Sequence, residues 1–64
     1  MINHLRQRRK ELNLTQRQVA DRIGIVWTSY QRYERNACLP IVNIALRIAK
    51  ALETTVEELY IDDE

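Results

Sequence analysis

The sequence is poor in residues that break or cross-link a chain. Its 64 residues include one glycine, one proline, one cysteine and no phenylalanine. The single Cys38 excludes an intramolecular disulfide framework and is typical of a protein of the reducing cytoplasm, which is the localisation that we expect. Because apolar residues recur at helical intervals almost from end to end and turn-forming residues are scarce, the chain is predicted to be all-α.

Long apolar segments are also missing. The longest apolar runs are too short to span a bilayer, and no signal peptide is apparent, so we expect neither a membrane contact nor secretion. The length leaves room for one domain, which is expected to cover residues 1–64. A domain of this size buries only about 60% of the surface of its unfolded chain, so a partner subunit would add stability.

Groupings of residues that would predict catalysis are absent as well. The sequence has no nucleophile–base pair at a useful spacing and no glycine-rich loop for phosphate. His4 and Cys38 have no second histidine or cysteine with which to hold a metal ion. We therefore expect no enzyme activity, no metal, no cofactor and no small-molecule ligand.

The charge is distributed unevenly, although the net charge is only +1. Residues 1–36 carry eight basic and three acidic side chains, whereas residues 37–64 carry two basic and six acidic ones. Such a distribution is compatible with two ordinary solvated surfaces, but a basic half also permits binding to the phosphates of a nucleic acid.

Five helical segments are predicted. Thr15 with Gln18, and Thr55 with Glu58, have the spacing of a capping box at a helix start. Asn36 is suited to the left-handed conformation that ends a helix. The segments run from about Asn3 to Asn13, from the Thr15 cap to Gly24, from just after Gly24 to about Arg35, from about Pro40 to Leu52, and from the Thr55 cap to Tyr60.

The third of these helices has two different faces. Thr28 and Arg32 point away from the domain, and Trp27 lies at the flank, when the helix is rotated by about 100° per residue. A short helix that follows a tight glycine turn and projects polar side chains outward is typical of a helix-turn-helix. Four residues are predicted to face the domain: Val26, Tyr30, Tyr33 and Glu34.

The segment "LTQRQVADRIGIVWTSYQRYERNACLP" resembles the Cro/repressor-type helix-turn-helix family, also called xenobiotic-response-element-like regulators. The matching features are Leu14-Thr15-Gln16, the spacing from Ala20 to Gly24, and apolar residues at 19, 23, 25, 30 and 33. The flanking "LRQRRKELNLTQ" and "IALRIAKALETTVEEL" resemble the opening and closing helices of the family, so the likeness runs from about Leu5 to Tyr60. It implies a compact, five-helix, lambda-repressor-like domain with its helix-turn-helix at about 15–35.

The resemblance also implies a function: a sequence-specific regulator, a repressor, that binds double-stranded DNA in the major groove as a homodimer on a two-fold operator. Arg9 and Glu34 match an ion pair of the family. The positions that would contact bases are Trp27, Thr28 and Arg32. The positions that would contact phosphates are Gln16, Arg35 and Asn36.

Two questions stay open at this point. Trp27 can pack against a thymine methyl or, alternatively, can anchor a protein partner in an antitoxin-like interaction module on the same scaffold. The apolar residues near the C-terminus can form a dimer surface or complete the core of the domain itself. Those residues are Val56, Leu59, Tyr60 and Ile61.

Overall fold

The structure is a computed structural model that describes residues 2–61. Within them, a strand pair joins the two ends of a helical bundle, and none of the helices is both long and apolar enough to cross a membrane. The elements are β1 (Ile2–Asn3), α1 (Leu5–Glu11), α2 (Gln16–Ile23), α3 (Trp27–Glu34), α4 (Val42–Ala51), α5 (Val56–Leu59) and β2 (Tyr60–Ile61). The predicted five-helix all-α architecture is confirmed, with a short two-stranded ribbon added to it.

The ribbon corrects two helix boundaries. β1 and β2 pair antiparallel, with Ile2 opposite Ile61 and Asn3 opposite Tyr60. The prediction that the first helix begins at Asn3 and the last ends at Tyr60 is therefore wrong at both ends. The reason at the first end is local, because the Asn3 side chain accepts a hydrogen bond from the Leu5 backbone N–H at 2.8 Å and so starts the helix only at Leu5.

Local caps set the other boundaries. Thr15 and Gln18 form the predicted capping box at the start of α2. Gly24 ends that helix with a φ of 84°, and Asn36 follows α3 with a φ of 62°, as predicted. Thr55 caps α5 by accepting a hydrogen bond from the Glu58 backbone N–H. The other half of the predicted capping box differs, because the Glu58 carboxylate accepts hydrogen bonds from the hydroxyls of Thr54 and Thr55.

The predicted start of α4 and the predicted orientation of Val26 are both wrong. α4 begins at Val42 and not at Pro40, because the extended backbone of Ile41 (ψ 162°) makes it the residue that precedes the helix. Val26 is likewise the extended residue before α3, so its side chain does not follow the helical rotation and is 66% exposed instead of facing the domain. Leu46, on α4, is 58% exposed.

The core joins all five helices. Tyr30 of α3 is part of it and is completely buried. Leu59 is also buried, so this residue of the C-terminal apolar group completes the core, whereas Ile61 stays 41% exposed. The buried residues are Leu5, Val19, Ala20, Ile23, Tyr30, Ile48, Ala49, Leu52 and Leu59.

One arginine of the basic half is part of the fold. Arg8 reaches from α1 to the end of α4, where its Nε donates to the Leu52 carbonyl at 2.8 Å and its guanidinium also donates to the Glu53 carbonyl at 3.1 Å. A cation at the C-terminus of a helix satisfies carbonyls that lack partners within the helix. Arg8 therefore stabilises the bundle, although the sequence showed it only as one of the basic residues of positions 1–36.

Candidate nucleic-acid interface

The outer surface of α3 presents polar side chains to solvent. Helices α2 and α3 are joined by the left-handed turn at Gly24 and pack against each other. Thr28 and Arg32 are exposed on α3, while Tyr30 of the same helix is buried in the core. The structure thus gives α3 the two faces that the sequence predicts, and leaves a hydroxyl and a guanidinium free to meet another molecule.

A buried ion pair ties α1 to the end of α3. The Nε and one terminal nitrogen of Arg9 donate to the two carboxylate oxygens of Glu34 at 2.9 and 2.8 Å, a bidentate arrangement. The remaining terminal nitrogen of Arg9 donates to the Leu14 carbonyl at 2.9 Å. Only 12% of the Arg9 side chain and 4% of the Glu34 side chain are exposed. The two residues that the resemblance paired are thus brought together.

The surroundings of Glu34 keep it ionised. Burial by itself would raise the pKa of this carboxyl, but hydrogen bonding by Arg9, together with Gln16, outweighs burial and lowers the pKa below its usual value. The buried Tyr30 hydroxyl has no hydrogen-bond partner of standard geometry among the described residues. Burial also raises the pKa of Tyr30.

Gln16, the first residue of α2, connects this ion pair to α3. Its amide nitrogen donates to Glu34 Oε1 at 3.1 Å. Its amide oxygen accepts from the indole nitrogen of Trp27 at 3.2 Å and from the Gln31 amide at 3.3 Å. A chain of hydrogen bonds thus fixes the orientation of the Gln16 amide relative to both helices.

A polar groove runs beside Gln16. It is lined by the ion pair, by Gln16 and by two exposed arginines, Arg6 of α1 and Arg35 at the end of α3. Because the charges of Arg9 and Glu34 neutralise each other, Arg6 and Arg35 give the groove a positive character. Asn36 is exposed immediately after Arg35.

Trp27 is half-buried and is contacted from two sides. Besides its hydrogen bond to Gln16, the guanidinium carbon of Arg17 lies 4.3 Å from the centre of its ring. This distance is within the range of a cation–π interaction. Sequence reasoning missed Arg6, Arg17 and Gln31; the only available signal was that Arg17 follows Gln16 directly in the chain.

A second groove is mostly apolar and is lined by residues between 39 and 60. Its walls come from the loop before α4, from α4 itself, and from α5 and β2. Exposure is high at Leu39 (59%), Val42 (76%) and Leu46 (58%). The lining residues are Leu39, Pro40, Val42, Ala45, Leu46, Val56, Glu57 and Tyr60. The exposed apolar surface therefore centres on α4, and two of the four C-terminal apolar residues that the sequence had indicated, Val56 and Tyr60, also line it.

The sequence of this chain is similar to those of known regulators of transcription. The model of a helix-turn-helix family matches residues 5–59. The chain is 47% identical over 55 residues to the cryptic phage CTXphi transcriptional repressor RstR of Vibrio cholerae, with 86% of the chain covered but only 49% of the repressor. The chain thus spans about half the length of that relative.

Two archaeal proteins match over most of their length. An uncharacterized HTH-type transcriptional regulator of Methanothermobacter thermautotrophicus is 38% identical, with 94% of this chain and 88% of that protein covered. One of Archaeoglobus fulgidus is 27% identical, with 100% of this chain and 90% of that protein covered. From the family match and these relatives, the chain belongs to the helix-turn-helix family of transcriptional regulators, a family of non-enzymatic DNA-binding proteins.

Proposed function

We propose that this chain is a sequence-specific regulator of transcription, acting as a repressor in the cytoplasm, and that it binds double-stranded DNA by placing α3 in the major groove. The observation that carries the proposal is the outer face of α3, where Thr28 and Arg32 are exposed on a helix packed across α2. Its similarity to a phage transcriptional repressor supports the same role. Residues 1–64 would act as a single DNA-binding domain.

In this proposal α3 supplies the base contacts. Arg32 has the geometry to donate two hydrogen bonds to guanine O6 and N7, and Thr28 can donate to or accept from a base edge. The part of the Trp27 ring that stays exposed would pack against a thymine methyl near the outer end of the half-site.

Phosphate contacts would lie on both sides of the DNA major groove that α3 enters. Gln16 stands at the N-terminus of α2, where backbone N–H groups lack partners within the helix and attract anions. Arg35 and Asn36 are exposed at the opposite end of α3, and they would meet the phosphates of the other strand. The arginines that line the polar groove beside Gln16 support this assignment.

We further propose that the protein acts as a homodimer on a two-fold operator. A single short helix reads too few base pairs to find a site in a genome, and pairing doubles the footprint, with half-sites about 34 Å apart. The exposed apolar groove on α4 supports this proposal, because burying Leu39, Val42 and Leu46 against a second copy would remove apolar surface from water.

The alternative, an antitoxin-like protein-interaction module, is weakened by the position of its supposed anchor. Trp27 is half-buried, and both Gln16 and Arg17 already contact its ring. An anchor residue needs a free apolar side chain that can enter a pocket on the partner. The same arginine-rich surface is better suited to phosphates than to such a pocket.

The deciding experiment is DNA binding as a function of salt, measured by fluorescence anisotropy with DNA from upstream of the protein's own gene. We expect log K to fall by about 0.9 per contacted phosphate against the logarithm of the salt concentration. Undetectable binding, or binding that is flat between low and physiological salt, would favour the protein-interaction alternative.

The dimer is tested separately by sedimentation equilibrium. Leu46→Glu changes an exposed position, so the variant is expected to fold, yet it should be monomeric at concentrations where the wild type is a dimer. Arg47→Glu, at an exposed polar position beside it, introduces the same acidic side chain with a larger change of net charge, −2 instead of −1, and is the control for a glutamate on α4. A dimeric Leu46→Glu variant would exclude this surface.

A further inference from the structure

Two consecutive residues of α2 hold the same tryptophan. Gln16 accepts a hydrogen bond from the Trp27 indole nitrogen at 3.2 Å, and the Arg17 guanidinium lies over the Trp27 ring at 4.3 Å from its centre. Trp27 is the first residue of α3. The contacts therefore join the starts of the two helices that form the helix-turn-helix.

The Arg17 guanidinium keeps its hydrogen-bonding capacity while it lies over the Trp27 ring. Arg17 is exposed, and stacking on an aromatic face engages the plane of the guanidinium but leaves its N–H groups, which lie in that plane, free to donate. A long arginine side chain loses rotamer freedom when it binds a ligand, and a ring that fixes its orientation beforehand reduces that loss.

The position of Arg17 favours an anion as its partner. The Thr15 side chain caps only the Gln18 backbone N–H, which leaves the backbone N–H groups of Gln16 and Arg17 at the open start of the helix. The start of α2 therefore offers backbone N–H groups and the positive end of the helix dipole, together with the amide of Gln16 and a guanidinium that lies over Trp27.

We propose that Arg17 is a further phosphate-contacting residue, and that Trp27 is the residue that positions it, together with Gln16, against the DNA backbone at the outer end of each half-site. This inference rests on the proposed DNA-binding function and deepens it. Trp27 then has two tasks: its exposed part faces the major groove, and its ring face and indole N–H hold the two neighbouring phosphate contacts of α2.

The first test is Arg17→Ala, with DNA binding measured over a range of salt concentrations. Losing one phosphate contact should weaken binding about tenfold or more and lower the salt slope by about 0.9, to the same extent on a selected operator and on random-sequence DNA. Arg22→Ala removes an exposed arginine from the same helix and is the matched control; its slope should change less.

Positioning by Trp27 is tested with a double-mutant cycle. In a Trp27→Leu background, Arg17→Ala should cost at least threefold less affinity than in the wild type, because the guanidinium is no longer held there. Trp27→Phe keeps an aromatic face and should restore most of the coupling to Arg17, although it lacks the N–H that contacts Gln16. Additivity of Arg17→Ala and Trp27→Leu would overturn the positioning role.

A measurement without DNA separates this inference from the proposed function. The indole ¹H–¹⁵N resonance of the single tryptophan should shift in Arg17→Ala and stay in place in Arg22→Ala. If wild-type protein binds DNA but Arg17→Ala leaves the slope unchanged, or loses affinity at one base pair only, the inference fails while the function stands. If the wild type binds no DNA at any salt, both fail.

Discussion

Replacing Arg9 by alanine should change both the size and the pH dependence of the stability. The substitution removes both donors of the bidentate pair and leaves the Glu34 carboxylate, 4% exposed, with the Gln16 amide at 3.1 Å. Breaking a buried pair on one side costs about 3–5 kcal/mol. A 64-residue domain has a total stability of roughly 3–10 kcal/mol, so much of the variant should be unfolded at pH 7.

The pH dependence is the sharper part of this prediction. In the wild type the pKa of Glu34 is lowered by its hydrogen bonds, so the stabilisation is complete above the unfolded pKa of about 4.3 and is lost as the pH falls below it. Without Arg9, burial dominates and raises the pKa of Glu34 in the folded state. The folded variant then binds a proton more tightly than the unfolded chain, so its stability should rise as the pH is lowered from 7 towards 5.

Urea unfolding at pH 5, 6 and 7, followed by far-UV circular dichroism, measures this directly. Arg6→Ala is the matched control, because Arg6 lies on the same helix and lines the same groove but is exposed; its stability should stay within about 0.5 kcal/mol of the wild type. An Arg9→Ala variant as stable as the control at pH 7, or one whose stability stays constant or falls between pH 7 and pH 5, would refute the reasoning.

Other substitutions test the fold and the interface. Glu53, at a left-handed φ of 57°, should be replaceable by glycine with a gain of about 0.5–1 kcal/mol and a rise in Tm of roughly 2–8 °C; an unchanged Tm would mean that the backbone carries little strain there. Arg32→Ala should cost about 1–3 kcal/mol on the best operator and relax preference at one base pair per half-site in a selection from random DNA, whereas uniform loss would make Arg32 a phosphate contact. Saturating operator DNA should change the emission of Trp27, and Trp27→Ala should lose most affinity at sites with a thymine in contact; unchanged emission with normal binding would place the ring outside the interface.

Helix ends were predictable wherever their cause is local in sequence. The capping box of Thr15 and Gln18, the Gly24 turn and the left-handed Asn36 all depend on residues within three positions of each other. The strand pair was not predictable in this way, because it joins the two ends of the chain and forms only after the bundle has brought them together.

The distribution of charge along the sequence was informative, but it did not show which arginines are exposed. Arg8 and Arg9 contribute to the basic half of the sequence, yet Arg8 donates to carbonyls at the end of α4 and Arg9 is paired with Glu34. Composition cannot separate such structural arginines from exposed ones, because the difference lies in partners that are distant in sequence. Arg17, by contrast, is exposed, but its contact with Trp27 could not be predicted either, because that contact depends on how α2 crosses α3.

The structure finally predicts that stability and DNA binding can be separated at Glu34. This carboxylate accepts a hydrogen bond from Gln16, and Gln16 in turn accepts one from Trp27. The geometry of the proposed phosphate contact thus depends on a group to which the proposal gives no DNA contact. Glu34→Gln keeps the shape and an acceptor oxygen but removes the charge that pairs with Arg9.

Glu34→Gln is combined with Glu53→Gly, which recovers about 0.5–1 kcal/mol of the lost stability, and binding is compared at a low temperature at which circular dichroism shows the double variant to be folded. We expect this double variant to bind operator DNA several-fold more weakly, while Glu53→Gly alone binds as the wild type does, because only the former loosens the orientation of the Gln16 amide. Since both proteins are compared in the folded state, a loss of affinity cannot come from unfolding. Equal affinity would mean that the hydrogen-bond network around Glu34 contributes to stability alone, and that Gln16 contacts the DNA phosphate without help from this network.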